Sequence, residues 1–269
     1  MRILSIVYFS ENLSREEFAD QVLEIFQPQL ERATKIFVKP NVVSYEQYPT
    51  TTHPMLLESV LKRLDGHEVF VGDAPAIDAG RSNKIIQKSP LKRVCENYGI
   101  RLMNLYDEKM TTIVSPRGYR IRVSTLPLEC DFVISLPVLK VHGTVGLSGA
   151  IKNQFGYIGK LDRLLMHTKA KDIEKGIAEV NSAVPSNLFI MDGVETMVQA
   201  QECRHGGCPT KLNVLLAGTD PVSLDVFGLR LLEKVEPKFE EKRNKAWRYI
   251  EYAAEYGLGI KDFRVETLG

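Results

Sequence analysis

The sequence predicts an α/β fold in which a mostly parallel, twisted sheet is flanked by helices. Short apolar runs rich in β-branched residues alternate with segments of helical periodicity along the chain. Several of these runs are apolar at successive positions, as expected for strands that are covered on both faces of a parallel sheet. Turn-forming Gly, Pro, Asn and Asp residues follow the runs directly, as they do where strands lead into helices.

Each apolar run defines one predicted strand. The predicted strands are Arg2–Tyr8, Lys35–Val38, Glu68–Val71, Arg101–Asn104, Asp131–Ser135, Asn187–Met191 and Leu212–Ala217. The segment 111–123 differs, because two short alternating runs flank the turn sequence Ser115-Pro116-Arg117-Gly118. We interpret it as a β-hairpin inserted into the fold.

Helices are expected between the strands. A capping box at Ser14-Arg15-Glu16-Glu17 predicts a helix start. Helical periodicity predicts further helices over Pro54–Leu64, Ile173–Asn181, Pro221–Glu233 and Asn244–Tyr256. The last carries a stripe of Tyr249, Tyr252 and Tyr256, which favours core packing, with a homo-oligomer contact as the alternative.

Length and composition limit the domain organisation. The chain has 269 residues, of which 44% are hydrophobic, so it can bury a sizeable core. Neither a low-complexity linker nor an internal repeat divides it. We therefore predict a single domain over residues 1–269, with two lobes around a cleft as the alternative arrangement.

Charge and hydropathy exclude several classes of partner. The 35 basic and 34 acidic residues leave a formal net charge of +1, which argues against binding to nucleic acid. The first apolar run is short for a signal peptide, and no run approaches the roughly 18 uninterrupted apolar residues of a membrane span. We expect a cytoplasmic protein without a membrane partner.

Two of the four cysteines, Cys203 and Cys208, lie close together in the sequence. A zinc or iron–sulfur site needs a second pair at ligand spacing, and this pair is missing. A reduced or redox-labile loop is the favoured interpretation.

Polar residues follow five of the predicted strands. Lys39-Pro40-Asn41, Gly72-Asp73, Lys140 with His142, Asp192-Gly193 and Thr219-Asp220 occupy these positions. In a parallel sheet they would all lie at the carboxyl edge, where open α/β folds bind ligands. For Asp73 and Asp220 taken singly, ordinary turn and capping chemistry is the favoured interpretation. Lysines are poor turn residues and favour a shared functional edge.

The stretch from Lys140 to Gly156 predicts an anion site. Its glycines allow tight turns, and Ser148 is a candidate N-cap for a short helix that runs through Phe155. The first-turn N–H groups of this helix, with Lys140 and Lys152, would hold a phosphate or a carboxylate. Neither a Walker loop nor a GxGxxG dinucleotide motif is present.

Two histidines are candidate acid–base groups. In an extended segment, His142 and Lys140 would point to the same face, and each would lower the proton affinity of the other. A structural histidine bonded to the backbone fits the position of His142 equally well. By position alone, His167 is a surface residue.

The sequence resembles the prokaryotic family known as domain of unknown function 362. The residues that carry this resemblance are Lys39-Pro40-Asn41, Thr52-His53-Pro54, Gly72-Asp73, Leu136-Pro137, Lys140-x-His142, Gly149-Ala150-Ile151-Lys152-Asn153-Gln154-Phe155-Gly156, His167, Asp192-Gly193 and Gly218-Thr219-Asp220-Pro221-Val222-Ser223-Leu224-Asp225. The resemblance covers most of the chain. It singles out Lys140, His142, Lys152, Asn153, His167, Asp192, Asp220 and Asp225 as motif positions.

The resemblance implies little about activity, since the family has no agreed function. Some members carry a ferredoxin-like iron–sulfur domain, whereas this chain has no such cysteine run, so an iron–sulfur role would need a separate partner protein. The Lys-Pro loop, the Thr-His-Pro helix start and the Gly-Asp-Ala turn are similar, more distantly, to the amino-terminal lobe of the lactate racemase family. That family holds a nickel-pincer cofactor through lysine and histidine, but likeness of fold does not transfer chemistry.

Three functional hypotheses follow. In the first, the protein is an enzyme for a small anionic substrate: Lys39, Lys140 and Lys152 hold the anion, with Asn41, Ser148 and Asn153 as further binding residues. His142, His167 or Lys140 moves a proton, and Asp73, Asp192, Asp220 and Asp225 orient the histidines or hold a divalent metal ion. In the second, the protein is a redox or cofactor-linked partner of an iron–sulfur protein. In the third, it binds a ligand without turning it over.

Overall fold

The computed structural model describes residues 4–269, so the start of the predicted first strand, including Arg2, lies outside the described residues. Within them the strands are β1 (Ser5–Ser10), β2 (Lys35–Pro40), β3 (Glu68–Asp73), β4 (Leu102–Asn104), β5 (Met110–Val114), β6 (Arg120–Ser124), β7 (Phe132–Leu136), β8 (Lys140–His142), β9 (Gly146–Ser148), β10 (Leu188–Val198), β11 (Cys208–Gly218) and β12 (Phe263–Thr267). β5 and β6 form the predicted hairpin. β8, β9 and β12 were not predicted.

Ten α-helices within residues 4–269 flank the sheet. They are α1 (Arg15–Ile25), α2 (Gln27–Leu30), α3 (Pro54–Arg63), α4 (Ser82–Lys88), α5 (Pro90–Asn97), α6 (Ala150–Asn153), α7 (Lys160–His167), α8 (Ile173–Ala183), α9 (Pro221–Leu232) and α10 (Phe239–Glu255). The capping box is formed: the Ser14 hydroxyl accepts from the N–H of Glu17, and the Glu17 carboxylate accepts from the N–H of Ser14. None of the helices within residues 4–269 is both long enough and apolar enough to cross a membrane.

The main sheet has the order β12-β1-β11-β10-β7-β2-β3-β4. From β10 to β4 every neighbouring pair is parallel, which confirms the predicted α/β class with a mostly parallel sheet. The chain builds outward from β2 through β3 to β4 and then returns to place β7 on the other side of β2. The carboxyl ends of β2 and β7 therefore border a crevice at the topological switch point, where ligands bind in open α/β sheets.

Apolar side chains cover both faces of the sheet. Along β2, Ile36 and Val38 belong to the core under α1, α3 and α5, whereas Phe37 belongs to the core under α6, α8, α9 and α10. Tyr249 is buried in the second core, as the interpretation of the tyrosine stripe as core packing predicts. The single-domain organisation and the homo-oligomer contact remain predictions.

β11 runs opposite to the parallel strands, and this overturns one expectation. β10 and β11 form an antiparallel hairpin, so β11 begins where β10 ends. The carboxyl end of β11, with Asp220 just after it, consequently lies at the opposite edge of the sheet from the predicted site. There Asp220 caps α9, because its carboxylate accepts from the N–H groups of Val222 and Ser223 and from that of Ile260.

The sequence prediction also put Asp192 in the wrong position, directly after the end of a strand. β10 does not end at Met191 but continues to Val198, with a register irregularity between Gly193 and Glu195. Since side chains alternate along a strand, Asp192 lies on the face opposite to Met191, under α1. Its carboxylate binds Arg15 at 2.5 Å and accepts a hydrogen bond from the hydroxyl of Tyr48 at 2.8 Å.

Candidate functional site

A cavity of about 540 Å³ opens at the carboxyl edge of the parallel strands, by the switch point between β2 and β7. Its size is that of a small-molecule pocket. Most of the predicted site residues line it: Asn41, Asp73, Lys140, His142, Ser148, Lys152, Asn153 and His167. The predicted edge therefore exists, although Lys39, Asp192, Asp220 and Asp225 are not part of the cavity wall.

The glycine-rich stretch folds differently from the prediction. β8 and β9 pair as a small antiparallel hairpin that presents Lys140 opposite Ser148. Gly146 at its turn has a φ of +85°, and a side chain there would collide with the backbone of α10. Ser148 is the last residue of β9 rather than an N-cap; Gly149 takes the N-cap position of α6.

The amino-terminal N–H groups of α6 are already occupied. The carboxylate of Asp225, from α9, accepts from the N–H groups of Ala150 at 2.6 Å and Ile151 at 3.2 Å. A Cβ on Gly149 would lie 2.3 Å from a carboxylate oxygen of Asp225. Burial raises the pKa of Asp225 to about 7 although these N–H groups oppose the shift. The predicted external anion at this helix end is wrong because the protein supplies its own carboxylate.

Lys39 supports the cavity wall from behind. It is fully buried, and its ammonium binds Asp73 at 2.6 Å. Asp73 also accepts from the N–H groups of Val42 at 2.6 Å and Ala74 at 2.8 Å, which ties together the loops after β2 and β3. A Cβ on Gly156 would lie 2.0 Å from the Asp73 carboxylate, so only glycine fits over this ion pair. Lys39 is thus the ion-pair partner of Asp73 and does not line the cavity.

Lys140 and Lys152 face the cavity without a carboxylate partner. Lys140 donates to the carbonyl of Thr50, and burial lowers its pKa to about 8, against the opposing influence of Glu202. Within residues 4–269, Lys152 makes no hydrogen bond, and its ammonium lies 4.1 Å from the centre of the Phe155 ring. Burial, with Arg163 and the neighbouring lysines, lowers the pKa of Lys152 to about 7.

The two histidines differ in what they can do. The Nδ1 atom of His142 accepts from the N–H groups of Thr144 at 3.2 Å and Val145 at 3.4 Å. The ring proton of neutral His142 therefore resides on Nε2. Burial, Lys152 and Lys140 lower the pKa of His142 well below its usual value, so it is a neutral hydrogen-bond donor. His167 ends α7 at the exposed rim, edge-on to Phe155, and burial and Lys152 lower its pKa.

The predicted amide ligands hold the walls together. The backbone N–H of Asn41 donates to the hydroxyl of Thr52 at 2.7 Å, and its side-chain amide donates to the carbonyl of Thr50 at 3.4 Å. The side-chain amide of Asn153 donates to the hydroxyl of Ser135 at 2.9 Å, linking α6 to β7. Both residues therefore fix the positions of the loops at the crevice.

Sequence reasoning missed part of the cavity. The loop that joins β10 to β11 contributes Gln201, Glu202 and His205, and its return over the crevice follows from the unexpected hairpin. Glu202 is buried and makes a two-point ion pair with Arg204 at 2.8 Å. Arg163, on α7, was also missed. Its guanidinium donates to four backbone carbonyls: those of Ala74, Pro75, Phe155 and Ile158.

The aspartates do not fit the predicted divalent metal site. Asp73, Asp192 and Asp225 each already accept from basic groups or backbone N–H groups, and they lie in three different places. Neither do they contact His142 or His167, which they were predicted to orient. Within residues 4–269, no three His, Cys, Asp or Glu side chains are arranged to hold a metal ion. Cys203 and Cys208 are unpaired and exposed.

The chain is similar in sequence to a curated protein and in structure to solved proteins. A thylakoid-associated protein of Synechocystis sp. is 27% identical over 210 residues, which are 71% of this chain and 60% of that protein. The lactate racemase apoprotein of Thermoanaerobacterium thermosaccharolyticum has a similar structure, with a TM-score of 0.50 and 16% identity over 87% of this chain and 58% of that one. A Thermotoga maritima protein is less similar, with a TM-score of 0.40 and 13% identity over 91% of this chain and 60% of that one.

The chain thus spans about 60% of the length of the curated relative that it matches. At 16% identity, the likeness to the racemase apoprotein supports the α/β fold alone. The model of the family described as "Domain of unknown function (DUF362)" matches residues 36–230, which is most of the chain. The sequence resemblance and this match agree, and the chain belongs to the DUF362 family.

Proposed function

We propose that this protein is an enzyme that binds a small anionic substrate, a carboxylate or a phosphate, in the cavity at the carboxyl edge of the sheet. The observation that carries the proposal is the pair of cavity-facing lysines, Lys140 and Lys152, whose charges no carboxylate neutralises. A desolvated ammonium without a counter-charge is unfavourable, and an anionic ligand would remove that cost.

The charge balance around the cavity supports an anion. Among the described residues, three carboxylates line the cavity: Asp73 is paired with Lys39, and Asp78 and Glu202 are both paired with Arg204. Within the described part of the chain, Lys140, Lys152 and Arg163 have no carboxylate within ion-pair distance. The cavity therefore retains positive charge after its internal ion pairs are formed.

Hydrogen-bond geometry gives the remaining groups their proposed roles. With Nδ1 of His142 engaged by the backbone, its Nε2–H donates to the bound anion. The pKa of Lys152 is lowered to about 7 and that of His167, at the rim, is lowered from its usual value, so each has a neutral form that can accept a proton from a substrate. Acid–base turnover distinguishes this proposal from simple ligand binding.

Lys152→Ala is expected to weaken anion binding at least about tenfold, because one charged hydrogen bond contributes roughly 1.5–3 kcal/mol. Isothermal titration calorimetry and thermal shift with phosphate, acetate, malonate and citrate would measure this. Lys62→Ala is the matched control, since Lys62 is exposed on α3 and pairs only with Glu16. If none of these anions stabilises the wild type, or if Lys152→Ala responds as the wild type does, the proposal is wrong.

Anion affinity is expected to fall as pH rises from about 7 to about 9. Lys152 and Lys140, with pKa values of about 7 and about 8, lose their charge over this range in the empty site. A bound anion favours the charged amines, so binding near pH 8 takes up protons. Calorimetry in two buffers of different ionisation enthalpy measures this uptake. Affinity that stays constant or rises across the range would contradict the assignment.

A further inference from the structure

The amine of Lys152 has an unusual set of neighbours for a lysine. It lies on α6 at the cavity wall and contacts the face of the Phe155 ring, 4.1 Å from the ring centre, and within the described part of the chain it has neither an ion pair nor a hydrogen bond. Lys140, on β8, lines the same cavity and carries the neighbouring positive charge. The buried ammonium of Lys39 has a counter-charge in Asp73, whereas the half-buried Lys152, like the buried Lys140, has no carboxylate partner among the described residues.

A lysine that is desolvated beside a second cation is a nucleophile rather than an ion-pair partner. Here the amine of Lys152 lines a cavity of about 540 Å³ that is also lined by a cation, Lys140, and by a histidine, His142. We propose that Lys152 forms an imine with the carbonyl carbon of a small 2-oxo acid, whose carboxylate is held by Lys140 and the Nε2–H of His142. This inference rests on the proposed function for the choice of an anionic ligand.

The step balances without an oxidant or a reductant. The Nζ lone pair of neutral Lys152 attacks the carbonyl carbon, and the carbonyl oxygen takes a proton to give a carbinolamine. The carbon–oxygen bond then breaks, and the oxygen leaves as water with a proton from solvent. Nζ keeps one hydrogen and becomes the nitrogen of a protonated imine. Phe155 keeps bulk water from the nitrogen, and the imine withdraws electrons from the adjacent carbon as a general consequence of its charge.

The 2-oxo acid class follows from the arrangement of the three polar groups. A phosphate would satisfy Lys140 and His142 but gives Lys152 no electrophilic carbon. A plain carboxylate has the same shortcoming. A 2-oxo acid places its carbonyl one bond from the carboxylate, so a single small molecule can meet the cation and the amine together.

The experiment traps the imine by reduction. Wild-type protein is incubated with 2-oxobutyrate and sodium cyanoborohydride, and the modified residue is located by intact-mass measurement and peptide mapping. Butyrate, which has the same charge and no carbonyl, is the ligand control. Lys152→Arg keeps the positive charge but cannot form the imine, and Lys62→Ala removes an exposed lysine elsewhere. A cooperative thermal transition of Lys152→Arg shows that it is folded.

The expected result is one covalent group on Lys152, formed at least about tenfold faster than on any surface lysine, whose pKa lies near 10.4. Lys152→Arg loses this labelling, while Lys62→Ala keeps it. In the wild type the labelling rate rises as pH rises through about 7, because the neutral amine fraction of Lys152 grows there. This pH profile needs no variant.

The outcomes separate the two proposals. Stabilisation by butyrate and 2-oxobutyrate without labelling of Lys152 overturns the imine and leaves the anion site standing. Labelling of Lys152 by 2-oxobutyrate without stabilisation by any anion overturns the anion site and supports the nucleophile. Labelling that spreads over surface lysines, or persists unchanged in Lys152→Arg, overturns the imine.

Discussion

Lys39→Met is expected to lower the free energy of unfolding by about 3–5 kcal/mol, the usual cost of removing one partner of a buried ion pair. Lys39 and Asp73 are both buried and lie 2.6 Å apart. The substitution leaves the Asp73 carboxylate in the interior with only two backbone N–H donors, those of Val42 and Ala74. Urea denaturation followed by circular dichroism measures the change.

The same strand provides a matched control for this variant. Lys35, also on β2, pairs with Glu68 at 3.7 Å at the surface, so Lys35→Met is expected to change stability by less than about 1 kcal/mol. Adding Asp73→Asn to Lys39→Met removes the unpaired charge and is expected to recover part of the loss. Equal effects of the two methionine variants, or no recovery in the double variant, would show that the pair is not the cause.

Asp225→Ala is expected to destabilise the protein by about 2–4 kcal/mol, because it leaves two buried backbone N–H groups without an acceptor. These are the N–H groups of Ala150 and Ile151 at the start of α6, next to Lys152. Asp220→Ala removes the partly exposed N-cap of the same helix, which also accepts from the N–H of Ile260, and is expected to cost less, about 1–2 kcal/mol. Chemical denaturation at pH 7 compares the two. A larger loss for Asp220→Ala would contradict the role given to Asp225.

The raised pKa of Asp225 also predicts how the free energy of unfolding changes with pH. Its pKa is raised from 3.8 in the unfolded chain to about 7 in the fold, by burial. Between these values the folded state binds the proton and the unfolded state does not, so the contribution of this group to stability falls as pH rises from about 4 to about 7. Unfolding free energies of the wild type and Asp225→Asn at pH 5 and pH 8 test this. The wild type is expected to lose more on going to pH 8, and the reverse order would refute the shift.

The strands of the parallel part of the sheet, and the polar edge at their carboxyl ends, were predictable from local patterns. Apolar runs such as that of β2 and β7 carry their own signal, because burial on both faces requires apolar residues at successive positions. The residues directly after parallel strands then share an edge, whatever the details of the loops. This reasoning located Lys140, His142 and Lys152 at one cavity before any contact was known.

The wrong predictions for Asp220 and Asp192 have a common origin: the direction and the length of a strand depend on the strands that it pairs with. The apolar sequence pattern of β11 would be the same in a parallel and in an antiparallel strand. The direction of a strand relative to its neighbours depends on which strands it pairs with. Because β11 was assumed to be parallel, Asp220 was assigned to the wrong edge of the sheet. The same assumption left the loop that carries Glu202 and His205 out of the predicted site. The continuation of β10 beyond Met191 likewise depends on pairing with β11, and so Asp192 was assigned to a strand end.

By itself, the sequence determined the α/β class, the family and the set of lysines and histidines that meet at the carboxyl edge, because periodicity and strand-end position are local properties. The tertiary structure alone decided which charges are neutralised. Lys39 is paired with a residue distant in sequence, Asp73, and the N–H groups at the start of α6 are bound by Asp225, whereas Lys152 has no ion-pair partner among the residues that the structure describes. Ion pairing inside a protein depends on which segments come together, and that is why the chemistry of the site emerged only from the fold.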